Sequence, residues 1–300
     1  EFAEEVLGRF GVQVECYAPG IGAGIEALMR PNTRLVWCES PGSVTMEVQD
    51  VPAIARVAHE HGATVALDNT YAAGVYFDAF AHGVDVTMQA LTKYVGGHSD
   101  LLLGSVTART DAQYEPLGHM HARLGLGASP DDCSLALRGM QTLAVRLRAL
   151  EQSTLHVARW LARHPAVQTV LHPALPGCPG HDLWKRDFTG STSVFSIVLA
   201  PGATREQVVA ADRFEKLPAE IQSHARRSYA LLRVDPTHPS LQFKPIGGRL
   251  YSVRIGLHYR SGMRHELEGT TTFSGAVTLA GNVTFTTGAS TLTFSVVSHT

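Results

Sequence analysis

The sequence predicts an α/β protein with a largely parallel main sheet, then a smaller α/β region and a β-prone tail. Three observations carry this prediction. Through residues 1–110, short apolar segments alternate with helix-periodic ones. Continuous apolar strands separated by amphipathic helices are what a parallel sheet covered on both faces requires. A long helical periodicity then runs from Pro130 to His164, the kind of element that leads from one domain into the next. Past about Asp212 the composition changes, and after Glu268 no charged residue occurs.

Taken in order, Phe2 to Arg9 reads as the end of a helix and Val12–Cys16 as a strand. Ile25–Met29 is helical, and Arg34–Cys38 (RLVWC) is a buried strand. Val51–His61 is a helix closed by Gly62, a residue type suited to the left-handed position after a helix. Thr64–Leu67 and Val84–Leu91 are two further buried strands. After the long helix, Val167–Leu171 and Val194–Leu199 read as strands of a second, smaller domain. The predicted division is 1–135 for the large domain, 136–212 for the long helix and the start of the small one, then 213–262 and 263–300. The last part is rich in Thr, Ser and Gly, with an approximate six-residue repeat (GAVTLA, GNVTFT). So few repeats do not make a solenoid.

Composition narrows the function. The chain is 44% hydrophobic and 17% charged, enough apolar mass for a core. A formal net charge of −2 gives no electrostatic ground for a nucleic-acid or anionic-membrane partner. No apolar run is long enough to span a bilayer, and the opening EFAEEVLGRF lacks the layout of a signal peptide. That opening also lacks Met and starts in helical periodicity, which predicts a chain cut at its N-terminus. Cys16, Cys38, Cys133 and Cys178 are scattered without CxxC spacing, as reduced cytoplasmic thiols are. The 15 His show no ligand spacing, so no metal site is expected.

Two strand ends hold residues able to do chemistry. Asp68 closes TVAL, and Thr92-Lys93 follow VDVTMQAL. In a parallel sheet both lie at the C-terminal edge, where open α/β sheets bind ligands. A partly buried lysine there can form a Schiff base, an acid can keep a pyridine nitrogen protonated, and a hydroxyl can bind phosphate. The glycines of YVGGHSD offer close backbone approach to a cofactor. Spacing alone leaves other readings open: Asp68-Asn-Thr as a turn or helix cap, Lys93 as a solvated lysine, Gly-Gly as a turn.

The wording of four segments goes further. ESPGSVTMEVQDVPAI (39–54), LDNTYAAG (67–74), GVDVTMQALTKYVGGHSD (83–100) and LHPALPGCPGHDLWKRDFTGS (171–191) closely resemble the Cys/Met-metabolism family of fold-type-I enzymes dependent on pyridoxal 5′-phosphate (PLP). The SPGSVTMEV and DFTGS wording looks most like its cystathionine β-lyase branch, and the resemblance runs from residue 1 to about residue 212. It implies a partial PLP-binding large domain, with Lys93 as Schiff-base lysine and proton shuttle. Asp68 would face the pyridinium nitrogen, and Thr92 would bind phosphate. It further implies carbon–sulfur β-lysis of a small amino-acid thioether, cystathionine giving homocysteine, pyruvate and ammonia, in a cytoplasmic homotetramer. The family's N-terminal phosphate contacts are expected to precede residue 1. Its substrate arginine has Ser252 in its place in LYSVRIGLHY, with Arg254 two residues on, so no substrate-binding residue is assigned.

Residues 214–260 carry a dense basic set, including Arg226, Arg227, Arg233 and Arg249. Their pattern of two helices, DPTHPSL and a hairpin ending in YSVRIGLHYR resembles the first half of a RelE/ParE-type toxin. Without that wording, an ordinary helix pair and hairpin with a solvated basic face would be the reading of the same residues. The alternative function is therefore an inactive composite whose toxin-like segment binds RNA or an antitoxin.

Overall fold

The computed structural model describes residues 2–204, 207–208, 244–247, 250–254, 282–287 and 290–295. The chain divides into two compact units, Glu1–Arg260 and Ser261–Thr300.

The first unit holds two sheets. The main one has four strands in the order β1 (Leu35–Glu39), β2 (Thr64–Asp68), β3 (Val86–Ala90) and β4 (Gly104–Ala108). β1, β2 and β3 run parallel, and β4 returns antiparallel, with Val86 opposite Ala108. The fold is α/β with a mostly parallel sheet, as the alternation of apolar segments predicts. β2 is the best buried strand of this sheet, with Val65, Ala66 and Leu67 all inside.

α1 (Val51–Glu60) covers this sheet and forms where its sequence says it should. The Asp50 side chain accepts a hydrogen bond from the Ala53 N–H at 3.2 Å, Pro52 stands in the first turn, and Gly62 takes φ 71° just past the end. Val51, Ile54, Ala55, Val57 and Ala58 form its buried stripe. α2 (Asp111–Arg123) starts at Thr110 with a reciprocal capping box to Gln113. α3 (Pro130–Leu161), capped by Ser129, is 32 residues long, about 48 Å at the helical rise per residue. It reaches from the main sheet to the second one.

The second sheet is antiparallel throughout, in the order β5 (Val167–Leu171), β6 (Val194–Leu199), β8 (Leu250–Arg254), β7 (Lys244–Gly247). A short helix, α4 (His181–Asp187), lies between β5 and β6. Phe195, Ile197 and Leu199 pack with Ala158 and Leu161 of α3 in a core of their own. The hairpin expected at the end of the basic segment is present as β7 and β8, and β8 pairs with β6. The helix pair expected before it lies outside the described residues. In the second unit, β9 (Asn282–Thr287) and β10 (Ser290–Ser295) pair antiparallel.

Some elements differ from expectation. Val12–Cys16 is extended but joins no ladder among the described residues. Side chains hold it instead: Arg30 donates to Glu15 at 2.6 Å, and the Tyr17 hydroxyl donates to the Trp37 carbonyl at 2.7 Å. Phe2 to Phe10 is a π-helical turn followed by a 3-10 turn, stopped by Gly11 at φ 80°. The helix expected at Ile25–Met29 is the end of a 3-10 segment, Pro19–Leu28, broken at Gly22. β1 alternates, with Leu35 53% and Trp37 49% exposed, because it is the edge strand and only one face is covered. β4, α2 and α4 had no counterpart in the sequence reading.

The motifs that carry the family resemblance meet in space. The Cys178 thiol donates to the Met46 carbonyl at 3.2 Å, and the Val48 N–H to the Pro179 carbonyl at 3.1 Å. Gly180, at φ 80°, lies so close to the Val48 backbone that a Cβ there would collide with it. ALPGCPG and SPGSVTMEV are thus two sides of one contact, which explains why both keep special residues.

Candidate active site at the strand ends

Asp68 is the last residue of β2. In the ladders it stands level with Glu39 of β1 on one side and Met88 of β3 on the other. The turn that follows is fastened to β3: the Asn69 N–H donates to the Met88 carbonyl at 2.9 Å, and the Ala90 N–H to the Thr70 hydroxyl at 2.8 Å. The Asp68 carboxylate accepts from the Thr70 N–H at 2.9 Å. Asp68 therefore does form the local turn that its sequence allows. It does so at the C-terminal edge of the parallel strands, half-exposed.

Glu39 adds an acid that the sequence reading missed. Neighbouring residues in register on parallel strands point to one face, so Glu39 and Asp68 share theirs. Burial, and next the Asp68 charge, raise the Glu39 carboxyl above the usual range, partly offset by hydrogen bonding to Ser43. Two carboxylates side by side resist double ionisation.

Lys93 follows β3 by three residues and is half-buried. Its N–H donates to the Ala90 carbonyl at 3.0 Å, and its carbonyl accepts from the Gly97 N–H at 2.9 Å. Asp68 and Lys93 thus leave adjacent parallel strands at the same edge. Thr92 directly precedes Lys93, and its hydroxyl is engaged with Leu103, accepting from that N–H at 3.0 Å and donating to that carbonyl at 3.2 Å. The glycine pair expected to admit a cofactor is also needed for packing. A Cβ on Gly96 would stand 2.9 Å from the Leu91 carbonyl, and one on Gly97 would collide with Arg146.

DFTGS and the two residues after it, Thr192 and Ser193, form a buried polar layer, which Tyr94 beside Lys93 contacts. The Tyr94 hydroxyl lies 3.3 Å from the Ser193 hydroxyl, and the Ser191 N–H donates to Glu151 at 2.8 Å. Gly190 packs directly on the Tyr76 ring, and the Thr189 N–H donates to the Tyr76 carbonyl at 2.9 Å. Ser191, Thr192 and Ser193 are fully buried. The DFTGS wording was the signal for this layer, though not for its partners.

The donor set suits PLP at the ring end. An acid and a primary amine share a sheet edge, and the acid is held by backbone bonds that leave it at the surface of the edge. Residues 1–219 match the family described as Cys/Met metabolism PLP-dependent enzyme. The chain belongs to that family. The match includes residues 214–219, which the sequence reading gave to the toxin-like segment. Over 210 residues the chain is 45% identical to the cystathionine beta-lyase of Escherichia coli, covering 69% of this chain and 53% of that one. It is 39% identical over 198 residues to an L-alanine/L-glutamate racemase of Wolbachia pipientis, covering 66% and 48%. The crystal structure of cystathionine gamma-lyase from Lactobacillus plantarum superposes with a TM-score of 0.70 at 25% identity, covering 86% of this chain and 68% of that one. The chain spans about half the length of the curated relatives it matches.

Proposed function

We propose that this chain carries the cofactor-holding half of a PLP-dependent carbon–sulfur β-lyase acting on a cystathionine-like amino-acid thioether. The observation that carries the reading is the emergence of Asp68 and Lys93 from adjacent parallel strands at one sheet edge. PLP, when bound, supplies the electron sink that makes an amino acid's α-proton removable. Lys93 would hold the cofactor covalently and, once released by substrate, carry that proton. Asp68 would sit against the pyridine nitrogen and keep it charged. Thr92 would bind phosphate by exchanging its Leu103 carbonyl contact for a phosphate oxygen. The substrate assignment is supported by the SPGSVTMEV and DFTGS segments and by the lyase relative. The racemase relative is named for L-alanine and L-glutamate, amino acids with no carbon–sulfur bond to break, so it points to proton transfer alone.

The test is turnover of cystathionine by the purified chain supplied with PLP. Release of pyruvate and free thiol in equal amounts supports the lyase reading. Racemisation of L-alanine without pyruvate from cystathionine contradicts it.

Self-association into the oligomer expected of the family is supported by an exposed apolar face on α2 and α3. It includes Leu117, Met120, Leu137, Met140 and Val145. A reducing, cytoplasmic setting is supported by the four cysteines, all of them free. Of the division at 135, 212 and 262, the last is supported by the unit boundary after Arg260, whereas the first core runs past 135 to Leu147 and Phe188. For residues 213–262, descent from a toxin-like segment is supported by its wording and by the β7–β8 hairpin. If that segment acts on its own account, the chain will bind RNA in a salt-sensitive way. Absence of binding removes that second reading.

A further inference from the structure

The turn that presents Lys93 is short. The Gly96 N–H returns to the Leu91 carbonyl at 2.7 Å and the Gly97 N–H to the Lys93 carbonyl at 2.9 Å. The carbonyls of Tyr94 and Val95, both buried residues, turn towards α3. There one guanidinium meets them: Arg146 Nη1 donates to the Tyr94 carbonyl at 2.6 Å and Nη2 to the Val95 carbonyl at 3.1 Å. Nη2 also donates to the Gly139 carbonyl at 2.7 Å, and Nε to the Thr142 hydroxyl at 3.0 Å. Arg146 makes no ion pair among the described residues. Its fork is spent on the loop and on the helix it comes from.

The helix backbone approaches equally closely. A Cβ on Gly139 would stand 2.7 Å from the Gly96 carbonyl oxygen and 3.1 Å from the Gly96 Cα. Gly139 therefore lets α3 lie against the loop, and Arg146, two turns on, ties it down. A planar guanidinium donates to carbonyls on two segments from a fixed fork; a lysine ammonium has three donors on a flexible stem and does not hold that geometry.

We propose that Arg146 is a positioning residue for Lys93, fixing the direction in which the lysine leaves the sheet edge. The proposal rests on Lys93 being the cofactor lysine, and it concerns the residue that aims it. Lys93 is joined directly to the first clamped peptide. Its own N–H and carbonyl are bound within the turn, and Arg146 ties the next two peptides to α3, beside the contacts of Thr92 with Leu103 and of Tyr94 with Ser193. Without it, the carbonyls of two buried residues lose a charged donor and the loop loses its tie to α3.

The experiment compares the full chain with Arg146→Ala and Arg146→Lys by two readouts. The first, hydrogen exchange followed by mass spectrometry, needs no cofactor. The Gly96 and Gly97 amides are expected to lose protection about tenfold or more in both variants, the scale of a lost charge-assisted hydrogen bond, while α1 exchanges as before. The second is the rate at which added PLP develops a lysine-bound visible band. It is expected to fall about tenfold or more in both variants, and millimolar methylguanidinium is expected to restore it in Arg146→Ala. Such rescue is not expected of a merely destabilised chain. Wild-type protection of the loop in Arg146→Ala overturns the proposal. So does lost protection with an unchanged rate of PLP capture, which leaves Arg146 a structural brace. Should Arg146→Ala fail to fold, Gly139→Ala disturbs the same contact from the helix side and is expected to slow capture likewise; an unchanged rate overturns the proposal. A chain that forms no such band even without substitution refutes the Lys93 reading itself, an outcome separate from these.

Discussion

Glu39 and Asp68 stand side by side on parallel strands, and their difference in environment sets their roles. Asp68 is bound by a backbone N–H; Glu39 is pushed towards its neutral form by burial and by its neighbour. A carboxyl whose pKa is raised on folding contributes stability fully present below the unfolded value, about 4.3 for glutamate. That contribution is lost as pH rises through the folded value. Glu39→Gln mimics the neutral acid. It is expected to match the native chain in thermal stability near pH 4 and to exceed it at pH 7, measured as melting midpoint against pH. A stability loss at pH 7 would show that the ionised form is the favoured one. Thr92 teaches a related lesson. Its place beside Lys93 was legible in the sequence, but the direction of its hydroxyl depends on Leu103, eleven residues later and outside any local pattern.

At the scale of elements, legibility followed burial. β2 and β6 were readable as nearly continuous apolar runs, because central strands bury both faces. Val12–Cys16 has a strand's composition but no neighbour in the ladder to take its backbone groups. Composition alone cannot supply a pairing partner. β4 was hidden because GSVTA is small and half polar, and its strand character comes from pairing with β3. The glycines of YVGGHSD were noticed, yet their cause lies on α3, in Gly139 and Arg146. Gly180 marks another contact between distant motifs. Gly180→Ala combines left-handed backbone strain, about 1–2 kcal/mol, with a collision at Val48. A melting point lower by roughly 4–8 °C is expected in a domain of this size. Ala at Gly62, whose Cβ would meet open space, should cost less because only the strain remains. Equal losses at both positions would contradict the contact argument.

Among the described residues, α2 and α3 carry several exposed large apolar side chains. Leu137 is 63% exposed, Met140 56% and Val145 71%, all on α3, with Leu117 and Met120 on α2. Isolated exposed apolar residues are ordinary, but a cluster on two consecutive helices marks an interaction surface. Sedimentation of the native chain is expected to show self-association that Met140→Glu weakens by at least about tenfold, since a charge buried in an apolar interface costs more than 1.4 kcal/mol. A monomer at all concentrations would exclude this face as an interface between copies.

Function at this scale depends on which lysine holds the cofactor. The chain has few lysines, and Lys93, Lys185 and Lys244 lie in different elements. The most direct test is to incubate the chain with PLP, reduce with borohydride and map the modified peptide by mass spectrometry. Stoichiometric, irreversible labelling of Lys93, lost in Lys93→Ala, is the predicted result. Labelling spread over other lysines, or persisting in Lys93→Ala, would contradict the account.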